Sequence, residues 1–257
     1  MQILAFMIQK GGTSKTTSCS ALAHGLTAKG KTVLLIDLDP QQNLSFAEGV
    51  NVLDIPCTLY EVWKDHKPIK DAIQPVNLAL DIITGGLSLA SADFEFSGAV
   101  GREQLLKRSI DQLSADYDYC IVDCPPSLGL LTMNAATAAD QVIIPMTVDA
   151  LAIQGLSQLW GFLANIRTFC NPGLSVAGIL LTKYDDRTLT TKGLENLIVQ
   201  SADQAGTKVF QNRIHKSQAI ETAQSLQTTD VYSQNARAAA DYRSFTGELL
   251  EELEREE

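Results

Sequence analysis

The sequence predicts an α/β protein of 257 residues, a single mostly parallel twisted sheet with helices on both faces. Three observations predict it. Apolar runs of strand length at residues 3–8, 32–36, 77–83, 119–123, 141–145 and 174–182 are separated by stretches with helical spacing, the alternation that crossover units give a parallel sheet. The first run passes into a glycine-rich turn, Lys10-Gly11-Gly12-Thr13-Ser14-Lys15-Thr16-Thr17, and then a helical pattern at Ala21, Leu22, Gly25 and Leu26. Two later runs end in carboxylates, Asp37 and Asp123, and the carboxyl ends of parallel strands form the ligand side of such a sheet.

Strand, glycine-rich turn and helix together are the context of a phosphate loop. Such a turn aims its backbone N–H groups, here those of Gly11 to Thr17, and the start of the following helix at a polyphosphate. Lys15 supplies a mobile positive charge for the β- and γ-phosphates, and the Thr16 hydroxyl is a ligand for the Mg²⁺ that bridges them. The expected ligand is a nucleoside triphosphate. The second strand, residues 32–36, opens into Asp37-Leu38-Asp39-Pro40-Gln41-Gln42-Asn43, and Asp37 is the candidate for a water-mediated Mg²⁺ contact. Residues 46–75 say less: Thr58 to Trp63 reads as a short capped helix, and 77–83 as a strand that stops at Gly85-Gly86.

Gly101 to Leu113 has apolar and charged positions at helical spacing. Residues 119–123 form a buried strand closed by Cys124-Pro125-Pro126-Ser127, and Asp123 has the position of a Walker B acid that reaches the metal through water. Two prolines make this turn rigid, a connector between the site and a helix that begins near Leu130. A strand at 141–145 precedes a long helix over 152–169. The strand at 174–182 leads into Lys183-Tyr184-Asp185-Asp186-Arg187, where Lys183 is a candidate neighbour of the adenine and Arg187 of a DNA-facing or dimer-facing surface, although solvated charges after a strand need no function. A helix over 190–201, a short strand at 208–210 and a terminal helix over 235–253, with Ala236, Ala239, Ala240, Phe245 and Leu249 as packing positions, complete the chain.

Composition narrows the function. Hydrophobic residues make up 45% and charged residues 19%, an ordinary globular balance. No apolar segment is long enough to span a bilayer and no leader is evident, so a cytoplasmic protein is expected. Cys19, Cys57, Cys120, Cys124 and Cys170 are odd in number and contain no Cys-x-x-Cys pair, which is the usage of buried thiols in a reducing compartment. A formal net charge of −10 opposes DNA binding except through a local basic patch, because phosphate backbones are bound by Lys and Arg.

The loop departs from the usual phosphate-loop pattern, with Ser14 where a glycine normally precedes the lysine and a second lysine, Lys10, at its start. With Asp37-x-Asp39-Pro40-Gln41 and Asp123-x-Pro125-Pro126 it resembles the ParA/Soj family of partition ATPases. That family lies within the group of deviant phosphate-loop ATPases that includes MinD, the nitrogenase iron protein and the iron–sulfur scaffold ATPases. The resemblance implies a single-domain P-loop fold over 1–257, with no N-terminal DNA-binding domain, and slow, partner-stimulated hydrolysis of ATP with Mg²⁺. It implies a nucleotide-sandwich homodimer in which Lys10 reaches the partner's phosphates, and it gives Asp39 the role of orienting the attacking water. Ser14 and Gln42 stand where the family has glycine. Gly86 to Asp93 resembles a segment near the dimer face, although ordinary helix packing explains it equally.

In partners, the resemblance implies nonspecific DNA and a cargo adaptor or centromere-binding ParB-like protein, with the ATPase on the nucleoid and a plasmid or chromosome as cargo. A protein compartment such as a carboxysome is the alternative cargo, and a nucleotide-switched structural dimer without DNA binding the alternative function. Candidate DNA contacts are Arg187, Arg213, Lys216 and Arg237; Lys216 matches the first arginine of a family DNA-binding segment, whereas Ala219 replaces the second. The end of the chain, 248–257, carries six glutamates against one arginine, a tail that anionic membrane would repel, so no membrane partner is expected. The absent cysteine pair argues against the iron–sulfur members.

Overall fold

The computed structural model describes residues 1–113, 116–185, 189–217 and 237–256. In chain order the elements are β1 Gln2–Phe6, α1 Lys15–Ala28, β2 Val33–Asp37, α2 Asn43–Ala47, α3 Leu59–Lys64, β3 Ile73–Asn77, β4 Leu80–Thr84, α4 Ala92–Glu95, α5 Leu105–Ile110, β5 Tyr119–Asp123, α6 Leu130–Ala138, β6 Gln141–Thr147, α7 Ala150–Phe169, β7 Ser175–Thr182, α8 Leu189–Gln204 and α9 Arg237–Glu256. Among the described residues these strands form one seven-stranded sheet in the order β3-β4-β2-β5-β1-β6-β7. All pairings are parallel except that of β3 with β4.

Two apolar cores sandwich the sheet, which is why β2 and β5 are apolar up to their terminal aspartates rather than alternating. Leu4, Phe6, Val33, Leu35 and Ile121 face a core closed by α1, α2 and α9. Ala5, Leu34, Ile36, Cys120 and Val122 face the other, closed by α3, α5, α6, α7 and α8. The phosphate-loop helix α1 is buried on several sides, with Ser18, Cys19, Ala21, Leu22 and Leu26 all inaccessible, because α9 lies over it: Ser18 and Tyr242 share a buried hydroxyl–hydroxyl hydrogen bond of 3.0 Å. The packing face of α9 is Ala238, Ala239, Tyr242, Phe245, Leu249 and Leu253. Ala240 is exposed, one position off the expected stripe, and Ala236 lies outside the described residues.

Three expected elements differ. The strand expected at 77–83 is the second arm of an antiparallel hairpin whose first arm, β3, carries Pro75; a residue without N–H suits this edge strand and hid it from the apolar pattern. The helix expected over 101–113 is divided, with 3₁₀ turns at Arg102–Gln104 and Asp111–Leu113 on either side of α5. The strand expected at 208–210 is a single parallel bridge from Val209 to Ile179. The acidic end of α9 is partly structural: Glu248 accepts from the backbone N–H groups of Gln211 and Asn212, and Glu252 pairs with Lys208. Among the described residues no helix is long and apolar enough to cross a membrane.

Candidate active site

Strand pairing assembles the site. β1, β5 and β2 lie side by side, with Phe6 level with Asp123, Asp123 level with Asp37 and Asp37 level with Thr84. Two carboxylates from neighbouring strands therefore emerge together where the chain leaves β1 for the glycine-rich turn. The turn needs left-handed backbone at Gly12, with φ of 75°, and at Ser14, with φ of 60°. For Ser14 this conformation costs about 1–2 kcal/mol that glycine would not incur. The first α1 hydrogen bond runs from the Ser18 N–H to the Ser14 carbonyl at 2.9 Å, so the helix does not consume the amides ahead of it.

Lys15 and Thr16 converge on one carboxylate. Lys15 Nζ donates to Asp123 Oδ1 and Thr16 Oγ1 to Asp123 Oδ2, each at 2.6 Å. Burial alone would lower the pKa of Lys15, but the Asp123 carboxylate outweighs it and holds the ammonium charged, above its ordinary range. Asp37, fully buried, is pushed up to about 7 by desolvation and then by the Asp123 charge, against hydrogen bonds from the Ser45 amide and hydroxyl. Those two bonds are both 2.8 Å, and the Asp39 amide donates to the other Asp37 oxygen at 3.2 Å. Asp39 is itself buried, and its Oδ1 accepts from the Gln41 N–H at 3.0 Å. Each acid thus also pins the turn that follows β2.

Gln42 also adopts left-handed backbone, with φ of 56°. Its buried amide, oriented to satisfy its neighbours, places Oε1 on the Leu87 N–H at 2.9 Å and the Gly86 N–H at 3.3 Å, a link from this turn to the segment after β4 that glycine could not make. That segment is a 3₁₀ turn, Leu87–Ser91, running into α4. Asp93 within α4 accepts from the Leu130 N–H at 2.8 Å, tying it to the helix that follows the Pro125-Pro126 turn.

Lys10 lies at the start of the loop, with its ammonium 2.5 Å from Asp149 Oδ2 and 3.2 Å from Thr147 Oγ1. The same Asp149 caps α7 through the Ala152 N–H at 3.0 Å. Burial tends to raise the Asp149 pKa, but bonds from Lys10, Thr147 and Ala152 dominate and lower it to about 2. At the other end of the loop, Thr182 Oγ1 donates to the Thr13 carbonyl at 2.9 Å.

The residues present fit a magnesium–nucleotide pair. A Cβ built on Gly11 or Gly12 would meet nothing within 4 Å, so the loop is open beside both, and the Thr13 hydroxyl is buried without a partner. A hydroxyl and two carboxylates are hard oxygen donors of the kind Mg²⁺ takes while keeping several waters. The five cysteines are free thiols, and Cys19, Cys57, Cys120 and Cys124 are buried.

The remaining candidates lie along the sheet's β7 edge. Lys183 is exposed, with left-handed backbone. Arg213 pairs with Glu195 and lies over the Tyr184 ring at 5.1 Å. The guanidinium of Arg237 contacts His215 Nε2 at 2.7 Å, which makes that nitrogen the acceptor and leaves Nδ1 to donate to Asp241 at 2.9 Å. Lys216 is exposed, and its N–H donates to the Tyr184 carbonyl at 3.2 Å. Arg187 lies outside the described residues. Sequence reasoning missed Ser45, Thr147, Asp149 and Thr182; only Asp149 carried a signal, an N-cap aspartate ahead of a long helical pattern.

A glycine-rich loop after the first strand and two buried carboxylates at the carboxyl ends of adjacent parallel strands suit the class to which the chain belongs: this is an ATP-binding P-loop ATPase, with Mg²⁺ as the metal. A family model described as an AAA domain matches residues 1–176. The chain is 38% identical over 217 residues to the sporulation initiation inhibitor protein Soj of Bacillus subtilis, covering 84% of this chain and 83% of that protein. It is 40% identical over 187 residues to the chromosome partitioning protein ParA of Myxococcus xanthus, covering 72% and 66%. Among solved structures, a cobyrinic acid a,c-diamide synthase from Mycobacterium smegmatis with bound ADP and magnesium superposes with a TM-score of 0.87 at 31% identity, covering 100% of this chain and 97% of that one. The chain belongs to the ParA/Soj family of partition ATPases.

Proposed function

We propose that this ATPase is a nucleotide-timed switch that segregates a plasmid or chromosome. ATP binding closes a sandwich homodimer, the dimer holds nonspecific DNA and a ParB-like adaptor, and hydrolysis releases both. The backbone amides of Gly11 to Thr17 and the Lys15 ammonium hold the phosphates. Thr16 ligates Mg²⁺ directly, and Asp37 and Asp123 hold its water shell. When bound, Mg²⁺ neutralises charge that develops on the phosphates. Asp39 orients the attacking water, and Lys183 lies beside the base. The protein works in the cytoplasm, on the nucleoid.

The observation that carries this reading is Lys10. A second loop lysine with no role in its own site would be free to sit anywhere, yet this one is held at the loop's mouth by Asp149 and Thr147, its side chain 27% exposed. That position supports donation to a second copy. Light scattering in ADP and in a nonhydrolysable ATP analogue tests it: a dimer is expected with the analogue only, and Lys10→Ala should bind the analogue yet stay monomeric. A monomer in every state would sink the proposal.

One observation favours a second reading, a switched dimer that tracks a surface other than DNA. On a chain of net charge −10, Arg213 is paired with Glu195 and Arg237 is hydrogen-bonded to His215, which leaves exposed Lys216 as the least engaged of the described candidates.

A further inference from the structure

Thr147 and Thr182 close β6 and β7 and are level with each other across the pair. The alternation along both strands puts their side chains on the α1 face, the face of Ile143 and Leu180. They grip the phosphate loop at two places, Thr147 at Lys10 and Thr182 at the Thr13 carbonyl. The second contact is wholly buried and joins residues 169 apart in sequence.

The Thr13 carbonyl shares a planar trans peptide with the Ser14 N–H, because no peptide in the described chain is cis. In a trans peptide the C=O and N–H point in opposite directions. A hydroxyl that draws the carbonyl into the interior therefore turns the Ser14 N–H away from it, on a residue that is itself partly exposed. The orientation of this plane is also what the left-handed φ of Ser14 sets, on a residue that would relax from it if released.

We propose that Thr182 is a positioning residue for nucleotide binding: its hydroxyl fixes the Thr13–Ser14 peptide plane, aiming the Ser14 N–H at a phosphate oxygen and sustaining the strained Ser14 conformation. This rests on residues 10–17 being the phosphate site. Valine at 182 keeps the shape and removes the donor. Glycine at 14 removes the strain that the hydroxyl opposes, so the two positions are coupled through one backbone bond.

The test is ATP affinity by calorimetry, with thermal unfolding in parallel, for Thr182→Val, Thr182→Ser, Ser14→Gly and the Ser14→Gly/Thr182→Val pair. Thr182→Val should weaken ATP binding about tenfold, the worth of one buried hydrogen bond, and Thr182→Ser should restore it to within about twofold. In the Ser14→Gly background the loss from Thr182→Val should shrink to about threefold or less. A folded Thr182→Val protein with wild-type affinity overturns the proposal, as does the same loss in both backgrounds, because a purely structural role would lower the melting temperature without either pattern. Lys15→Ala separates the premise: if it binds ATP normally the phosphate-site reading fails, whereas if it loses ATP and Thr182→Val does not, only the role of Thr182 fails.

Discussion

Asp37→Asn should remove most of the stability loss that the wild type shows as pH rises from about 4 to 7. The folded-state pKa of Asp37 is about 7 against an ordinary 3.8, through burial and the neighbouring Asp123 charge. A carboxyl raised on folding contributes fully below its unfolded pKa, and that contribution is lost as pH rises through the folded one. Over that interval of roughly three pKa units the loss is of order 4 kcal/mol at about 1.36 kcal/mol per unit. Asparagine keeps an oxygen for the Ser45 amide and hydroxyl, both at 2.8 Å, gives up only the longer 3.2 Å acceptor for the Asp39 amide, and cannot ionise. Urea unfolding without nucleotide or metal at several pH values gives the difference between the two proteins. Near pH 4 they should be close, and above pH 7 the variant should be more stable by a few kcal/mol. Adding Mg²⁺ should recover wild-type stability at pH 8 and do little for the variant. Parallel pH profiles would refute the claim that Asp37 ionises at a cost set by Asp123.

Lys15→Ala should abolish ATP binding by calorimetry. It should also destabilise the protein by about 3–5 kcal/mol in urea unfolding, the penalty for stripping one partner from a buried ion pair, here the 2.6 Å contact with Asp123. Asp39→Ala should bind ATP and accumulate as a dimer by light scattering, because the turnover step fails while the phosphate contacts remain; turnover at the wild-type rate would remove Asp39 from the mechanism. Ser14→Gly should leave ATP bound and raise the unfolding free energy by up to about 1 kcal/mol, since glycine relieves the left-handed strain but adds freedom to the unfolded chain.

The sheet was legible because burial on both faces writes its strands as uninterrupted apolar runs, and the phosphate loop because glycines and lysines at fixed offsets follow one of them. Asp37 and Asp123 were legible as strand-end acids, although their alignment on adjacent strands depends on pairing that no local pattern states. Ser45 and Thr182 were not legible: a hydroxyl eight residues beyond Asp37, or 169 beyond Thr13, acquires its role only when the chain folds back. Ser14 stands where the family has glycine, and its φ of 60° is the left-handed conformation that glycine would adopt without strain. The edge strand β3 escaped because Pro75 and half-exposed neighbours give it no apolar run. The basic segment shows the opposite gap: Arg213 looked available in sequence, and the fold supplies Glu195 to engage it.

The most direct test of the partition reading is binding of the purified chain to random-sequence duplex DNA without nucleotide, with ADP, with ATP and with a nonhydrolysable ATP analogue, each at low and moderate salt. Salt-sensitive binding with ATP or the analogue alone, weakened by Lys216→Ala, is the expected result, a local basic patch prevailing over an acidic whole. No DNA binding in any state by a chain that still hydrolyses ATP would contradict it and leave a switched dimer whose track is some other surface.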